Sequence, residues 1–269
     1  MKQLANKIKH YLKVYLLLCK LSVQSVIVYR ANALITGLAP VVWLLTVLVF
    51  INVIYSNVKE LGGWNYWQVV FLTGIHEIIF LITWMTFATN LRIFIGNIVN
   101  ARADQDFLRP INTKFLISFK TFDFTNIGSI INVIVIFIYS GSKIITDVNP
   151  NRIFGFFILI VIAFFVYYFL SFIISSLCLF IINAGTLFDW LFELTDFDRY
   201  PANIYSPTLR IIFLTFLPIL FFSYVPTSYL FGKIGNEYIL LGLVIVALLY
   251  FISSVVWKYG LKNYQSASN

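Results

Sequence analysis

Three acidic residues, Asp189, Glu193 and Asp196, follow one another at intervals of four and three residues. This spacing aligns them along one stripe if the segment is helical. Carboxylates close to hydrocarbon normally face a protein interior or a watery cavity, because charge in contact with lipid is costly. One interpretation is therefore an acidic strip along a permeation path, which would favour cationic or zwitterionic cargo. The other is an amphipathic cytoplasmic helix whose acids contact water, which is the commoner role of a charge run.

A second ionisable pair, His76 and Glu77, lies inside a long apolar run. An ionisable residue within a spanning helix is by default a hypothesis of function. The alternative is a hydrogen bond between helices that fixes their packing, worth about 0.6–2 kcal/mol in membranes. His76 fits the packing role better. For Glu77 the two interpretations carry equal weight, and we keep it with the three acids as a predicted residue of the translocation path.

The chain has none of the short motifs that would support catalysis on its own. It contains no G-x-x-x-x-G-K-[S/T] loop to hold nucleotide phosphates, no G-x-S-x-G elbow and no H-E-x-x-H pair. Its two cysteines, Cys19 and Cys178, lie far apart in apolar runs and indicate neither a disulfide framework nor a metal site. We expect no catalytic residue, no cofactor and no metal in this chain.

Membrane helices must position these residues. Of the 269 residues, 60% are hydrophobic and 11% are charged, against roughly 45–50% and about 25% in ordinary soluble domains. Lipid has to cover the excess apolar surface. The net charge of +8 comes from basic residues scattered over short loops, which does not fit nucleic-acid binding. Six apolar runs predict spanning helices: Leu34–Tyr55, Trp67–Ile95, Phe124–Tyr139, Ile153–Ile182, Leu209–Phe231 and Tyr238–Trp257.

The distribution of Lys and Arg around these runs predicts their orientation. Most basic residues fall in the N-terminal segment, the loop after the second run and the C-terminal tail, whereas the opposite side has only Lys59, Lys143, Arg152 and Lys233. Arg199 and Arg210 are not counted, because the side of the membrane on which their stretch lies depends on which interpretation of the last third of the chain is correct. Both termini are therefore predicted to be cytoplasmic, which requires an even number of spans.

The segment before the first run has its own pattern. Lys9, Lys13, Lys20 and Gln24 recur at helical spacing, and apolar residues cover most of the remaining surface. The pattern predicts an amphipathic helix in the cytoplasmic interface, with its lysines directed toward anionic headgroups.

The longest polar and basic stretch on the cytoplasmic side is Asn97–Lys120. It combines charges of both signs with apolar residues and a proline: Arg102, Asp104, Asp106, Phe107, Leu108, Arg109 and Pro110. Pro110 ends or kinks any helix that precedes it. The combination suits docking onto a soluble protein, and an ordinary anchored loop would explain it equally well.

Several short motifs occur in a specific order along nearly the whole chain: Tyr29–Arg30–Ala31–Asn32, Gly63–Trp64, Asp106 with Leu108–Arg109–Pro110 and Asn112, Arg199–Tyr200–Pro201, Tyr205, Pro218, Pro226 and Tyr264–Gln265–Ser266–Ala267–Ser268. In these motifs the chain resembles bacterial ABC-2 type permeases, specifically the small six-span subfamily encoded beside an ATPase and usually a second, divergent permease. One departure concerns the family's Gly-Glu-Leu-Asp, which here reads Ala103–Asp104–Gln105–Asp106. The last acid is kept and the glycine is lost, which puts the docking geometry in doubt.

The resemblance implies an all-α polytopic protein of a bacterial inner membrane, with both termini in the cytoplasm. Residues 1–30 would form the cytoplasmic N-terminus with its interfacial helix, residues 31–260 the transmembrane domain and residues 261–269 a cytoplasmic tail. The loop 97–120 would contain a coupling helix that sits in a groove of ABC ATPase subunits, using Arg102, Asp104, Asp106, Leu108, Arg109 and Pro110. ATP and magnesium would bind the ATPase, and a second permease subunit, identical or divergent, would complete the path in the bilayer.

The last third of the chain has two interpretations. By the family's architecture, Asn183–Asp198 belongs to the fifth span, and Pro207–Phe231 forms a re-entrant helical hairpin on the external side before the last helix. By hydropathy, Leu209–Phe231 is the fifth span and the acidic helix lies in the cytoplasm. Both keep six spans and both termini inside, and the sequence does not choose between them.

The predicted function is the permease subunit of an ATP-binding cassette exporter that moves a small or lipid-like molecule. One alternative is an ion-coupled secondary carrier with Glu77 or the acidic strip as its proton site, although no internal repeat supports the inverted-repeat carriers. The other is a membrane scaffold that moves no cargo.

Overall fold

The computed structural model of the protein describes residues 13–22, 24, 30–124, 128–181 and 183–264, except for the side chains of 30–37. Within these residues the chain is built from helices and turns, with one isolated bridge between Leu61 and Trp64. In chain order the helices are α1 (13–22), α2 (Arg30–Asn57), α3 (Tyr66–Thr83), α4 (Thr89–Val99), α5 (Asp104–Phe107), α6 (Thr113–Phe119), α7 (Gly128–Ile144), α8 (Ile153–Leu177), α9 (Ala184–Leu194), α10 (Pro207–Thr215), α11 (Tyr224–Leu230) and α12 (Glu237–Asn263).

Within the described part of the chain, four helical stretches are long and apolar enough to cross a membrane: Leu38–Asn57, Tyr66–Val99, Pro150–Leu177 and Glu237–Asn263. A fifth apolar helix, α7, is shorter. For the described residues, the prediction of an all-helical, membrane-embedded protein is therefore confirmed.

The N-terminal prediction is only partly covered by the described residues. Residues 13–22 are helical, and Lys13 and Lys20 are both exposed. Lys9, the start of the motif at Tyr29 and the tail 265–269 lie outside the described residues. On α1, the apolar side chains of Leu16, Leu17 and Leu21 are also exposed, and at helical spacing they lie on the same side as Lys13 and Lys20. The role of α1 as an interfacial helix stays a prediction.

The stretch Tyr66–Val99 begins at a well-defined cap and contains one irregular turn. Asn65 and Gln68 form a reciprocal capping box, which satisfies the first free backbone donors of α3. A π-helical turn at Trp84–Ala88 joins α3 to α4. π turns are rare, leave backbone groups without their usual helical partners and are frequent at functional sites.

The apolar run Leu209–Phe231 is not one helix. α10 ends at Thr215, a 3-10 turn occupies Ile219–Phe221 and α11 starts at Tyr224. Pro218 separates them because it has no N–H and adopts φ −71° and ψ 51°, outside helical geometry. Hydropathy misses this break, since the residues on both sides of the proline are apolar. The prediction of a single spanning helix here is wrong.

α8 lies at the centre of the packing and contacts α3, α4, α9, α11 and α12. Tyr167 of α8 stacks on Phe222 with ring centroids 4.1 Å apart. Glycines allow two other close helix contacts, as is common between membrane helices. A Cβ at Gly74 of α3 would lie 2.6 Å from Ile136 of α7, and one at Gly155 of α8 would lie 2.5 Å from the Tyr229 ring of α11.

Candidate functional site

A buried ion pair connects α3 to the 3-10 turn Thr195–Arg199 that follows α9. Arg199 Nη1 donates to Glu77 Oε1 at 2.6 Å, and Arg199 Nε donates to Asp196 Oδ1 at 2.7 Å. Glu77 is 3% exposed and Arg199 is 4% exposed, whereas Asp196 is partly exposed. A carboxylate held this far from water requires a cationic partner, because an unpaired buried charge is strongly destabilising.

Asp198, the neighbour of Arg199, does not take part in this ion pair. Its carboxylate binds the first residue of α11 and the residue before it. Its carboxylate accepts from the backbone N–H groups of Ser223 at 2.5 Å and Tyr224 at 3.0 Å, and from the Ser223 hydroxyl at 2.5 Å. The first N–H groups of a helix have no partner within the helix, and a carboxylate is the favoured acceptor for them. His76 Nδ1 of α3 lies 3.9 Å from Asp198 Oδ2. We call Glu77, Asp196, Asp198 and Arg199 the charge cluster.

The three acids predicted to form a strip lie in different surroundings. Asp189 forms an ion pair with Arg92 of α4. Glu193 is exposed near the end of α9, and Asp196 belongs to the charge cluster. Two of the three are thus paired with arginines, so their negative charge is partly neutralised. Their role in lining a translocation path stays a prediction.

The segment predicted to dock a partner, residues 97–120, contains three consecutive exposed residues. Leu108 is 84% exposed, and the neighbouring Arg109 and Pro110 are exposed as well. We call these three residues the coupling tip. Arg102 is exposed on the turn before α5, whereas Asp104 is half-buried. Leu108 is the most exposed large apolar side chain of the segment 97–120. A single exposed leucine is common on protein surfaces, so the docking role of this one stays a prediction.

α5 directly precedes the coupling tip and is held in place by contacts with Lys120 and Tyr264. Asp106 is 4% exposed and accepts from Lys120 Nζ at 2.8 Å. Phe107 packs on Tyr264 with ring centroids 5.1 Å apart, and the Tyr264 hydroxyl donates to Asp104 Oδ1 at 3.1 Å. Burial and this hydrogen bond raise the pKa of Tyr264, so its hydroxyl keeps the proton that it donates. Asp104 and Asp106 therefore anchor the tip, and they do not lie at its outermost point.

Residues 41–268 match the family model described as ABC-2 family transporter protein. The chain belongs to this family. The resemblance predicted from its motifs is confirmed, and the chain is the membrane permease of an ABC transporter. Permeases of the ABC-2 family are transmembrane components without an ATPase domain, and they partner with an ABC ATPase. A comparison with curated proteins finds no match.

The glycine that this ABC-2 permease lacks is not needed for backbone conformation. Ala103 has φ −71° and ψ −22°, which any residue adopts, and it is completely buried. The position requires a small side chain, and alanine is small enough. The positive φ in this loop occurs at Ala101, at 56°. The loss of the glycine at position 103 therefore adds no backbone strain at that position.

Sequence reasoning did not identify Arg199 and Asp198 as site residues. A buried acid at Glu77 does indicate that a cation is needed, and Arg199 lies in a mostly apolar third of the chain. The pair is separated by 122 residues, however. No local pattern connects the two positions, because their contact arises only when α3 and the 195–199 turn pack together.

Proposed function

We propose that this ABC-2 permease is an exporter subunit of a bacterial inner membrane, driven by ATP that separate ATPase subunits hydrolyse. The coupling tip carries this proposal. It places an exposed leucine, an arginine and a proline directly after the short helix α5, which Lys120 and Tyr264 hold in place. Arginine is enriched at interface hot spots, and the exposed Arg109 stands next to Leu108. A groove on an ATPase would cover Leu108.

The proposed topology has six crossings: α2, α3 with α4, α7, α8, the segment 184–203 and α12. A series of contacts along α4 and α3 supports the fifth crossing. Near its start, Asp189 pairs with Arg92 in α4. Further along, Arg199 reaches Glu77 in α3, and then Asn203 donates to the carbonyl of Gly62 at 2.9 Å, in the turn before α3. Residues 184–203 thus run antiparallel to α3 and α4 over their length.

Residues 207–231 then form the proposed re-entrant hairpin. At its bend, Ser223 binds Asp198 of the charge cluster. At its end, the Leu230 carbonyl accepts from the N–H of Asn149 at 3.1 Å, and Lys233 donates to the carbonyl of Gly63 at 2.6 Å. The end of the hairpin therefore lies beside the loops α2–α3 and α7–α8, which the charge distribution predicts to be external. The bend reaches inward to the charge cluster.

A second permease subunit, identical or divergent, would cover the outer side of the fifth crossing. Glu193 is exposed there, together with the large apolar side chains of Trp190 and Phe197. Lipid is a poor neighbour for a carboxylate within the membrane. A protein partner with a polar path between the two subunits satisfies both kinds of side chain, and the path would favour cationic groups on the cargo.

In this mechanism, nucleotide binding on the ATPase favours one of two conformations of the permease. A ligand shifts such an equilibrium only by binding the two states differently. The coupling tip is the contact through which the ATPase distinguishes them. The charge cluster joins the second crossing to the fifth crossing and to the hairpin, so movement of α3 reaches the external side.

Cross-linking from the tip tests this proposal. Leu108→Cys, treated in native membranes with a short bifunctional reagent, should capture a nucleotide-binding subunit that mass spectrometry identifies. Leu261→Cys is the matched control, since Leu261 is also exposed near the predicted cytoplasmic end of its helix. Weaker capture by Leu261→Cys is expected, because position 261 precedes Tyr264, which packs behind the tip. Failure of Leu108→Cys to capture the subunit, or stronger capture by Leu261→Cys, would contradict a docking role for the tip.

A further inference from the structure

The segment Lys120–Asp123, which follows α6, lies against the π turn at Trp84–Ala88; we call it the strap. Thr121 binds Asn90 just beyond the turn through three hydrogen bonds. Its backbone N–H and its hydroxyl donate to Asn90 Oδ1 at 2.9 and 2.7 Å, and its carbonyl accepts from Asn90 Nδ2 at 2.7 Å. Asn90 is 4% exposed. One buried amide thus binds both backbone groups of a single strap residue.

Asp123 adds one bond to the turn itself and one to the first residue of α4. Its backbone N–H donates to the carbonyl of Met85 at 2.9 Å, and its carboxylate accepts from the Thr89 hydroxyl at 2.7 Å. Met85 lies within the π turn, where carbonyls lose their regular helical donors. Buried carbonyls need a partner from elsewhere. The strap therefore supplies part of the hydrogen bonding that makes the π turn stable.

The other end of the strap reaches the coupling tip. Lys120 donates to Asp106 at 2.8 Å, and Asp106 is separated from Leu108 by one residue. Polar contacts therefore run from the tip through Asp106 and Lys120 to Thr121, Asn90 and the turn. Glu77 lies about two helical turns before Trp84 on the same stretch.

We infer that the strap transmits movement of the coupling tip to the π turn, with Asn90 as the positioning residue. The inference rests on the proposed function, since it assumes that an ATPase moves the tip. Sharp bends in helices concentrate at π turns. A displaced strap would change the angle between α3 and α4 at this point and so move Glu77 together with Arg199.

Two variants remove strap contacts from the side of the turn. Asn90→Leu removes the side-chain bonds to Thr121 at similar volume, together with the bond from Asn90 Nδ2 to the carbonyl of Thr86 at 3.0 Å. Thr89→Val removes the bond to Asp123 and the longer bond to the carbonyl of Trp84 at 3.2 Å. Thr86→Val is the matched control. Thr86 lies in the same turn, and its hydroxyl donates to Ile82 at 2.6 Å and Thr83 at 3.4 Å within its own helix.

The measurement is the distance between spin labels at Ile145→Cys and Ile204→Cys, both exposed positions on the proposed external side. It uses the complex with its ATPase, on a Cys19→Ser and Cys178→Ala background, with and without ATP plus vanadate. The wild type and Thr86→Val should respond to nucleotide. In Asn90→Leu and Thr89→Val, the fraction of complexes that responds to nucleotide should be about tenfold smaller than in the wild type, as expected for the loss of one or two hydrogen bonds. Cross-linking of the tip to the ATPase should stay normal.

Equal responses in the wild type, Asn90→Leu and Thr89→Val would overturn the role of the strap. If Asn90→Leu does not insert, Thr89→Val decides alone, because it removes a single hydroxyl. A wild-type complex that binds no ATPase, or that shows no nucleotide response, would instead overturn the proposed function.

Discussion

Arg199 donates a 2.6 Å hydrogen bond to Glu77, and both side chains are almost completely buried. The bond connects α3 to the segment after α9, and the adjacent Asp198 connects the same segment to α11. Two consecutive residues therefore fix three elements relative to one another. In an ABC-2 permease this arrangement predicts that α3, the segment after α9 and α11 move as one unit.

Loss of the arginine should destabilise the protein strongly. Arg199→Ala leaves Glu77 as an unpaired buried charge, which costs about 3–5 kcal/mol. Thermal unfolding in detergent should show a marked decrease in melting temperature. Glu193→Gln, at an exposed position, is the control and should have almost no effect. A melting temperature of Arg199→Ala equal to that of Glu193→Gln would argue against the structural role of the pair.

Asp198→Ala should loosen the start of α11. The substitution leaves the N–H groups of Ser223 and Tyr224 without their acceptor, at about 1–3 kcal/mol for a buried group. Hydrogen–deuterium exchange over 224–230 should become about tenfold faster, since 1.4 kcal/mol corresponds to that factor. Asp196→Ala should leave exchange in α11 unchanged. Equal protection in both variants would show that Asp198 is not the cap.

Alanine at the two packed glycines should be destabilising. The added Cβ would overlap Ile136 at position 74 and Tyr229 at position 155, and overpacking costs about 1–3 kcal/mol. Gly141→Ala, where no atom lies within 4 Å of the added Cβ, should be neutral or stabilising. Thermal unfolding of the three variants checks this order, and a reversed order would disprove the close helix contacts.

Labelling of Ile204→Cys distinguishes the two topologies. The six-crossing proposal with the hairpin puts residue 204 outside, whereas the hydropathy-based topology puts it in the cytoplasm. A membrane-impermeant maleimide applied to intact cells should therefore label Ile204→Cys. Ile145→Cys, external in both topologies, and Arg102→Cys, cytoplasmic in both, are the controls. Protection of Ile204→Cys to the level of Arg102→Cys would rule out the proposed fifth crossing.

What the sequence predicts well is local. An apolar run of sufficient length is a property of neighbouring residues, and four of the six predicted runs coincide over most of their length with long apolar helices of the described residues. Composition also predicted a docking segment at 97–120, and its role stays a prediction. Composition did not distinguish the exposed Leu108 from the buried Asp106, because that difference depends on Lys120, fourteen residues away. The charge cluster and the strap depend on contacts between distant segments, and no sequence pattern encodes their partners.

Purification of the wild-type chain from its own membranes, followed by an assay of ATP hydrolysis, tests the central claim most directly. An ABC ATPase should co-purify and hydrolyse ATP. Leu108→Asp should bind it about tenfold more weakly or worse, as loss of a hot spot does, whereas Leu261→Asp should retain it. A wild-type preparation that transports cargo without a nucleotide-hydrolysing partner, or a Leu108→Asp preparation that retains the full ATPase, would contradict the account.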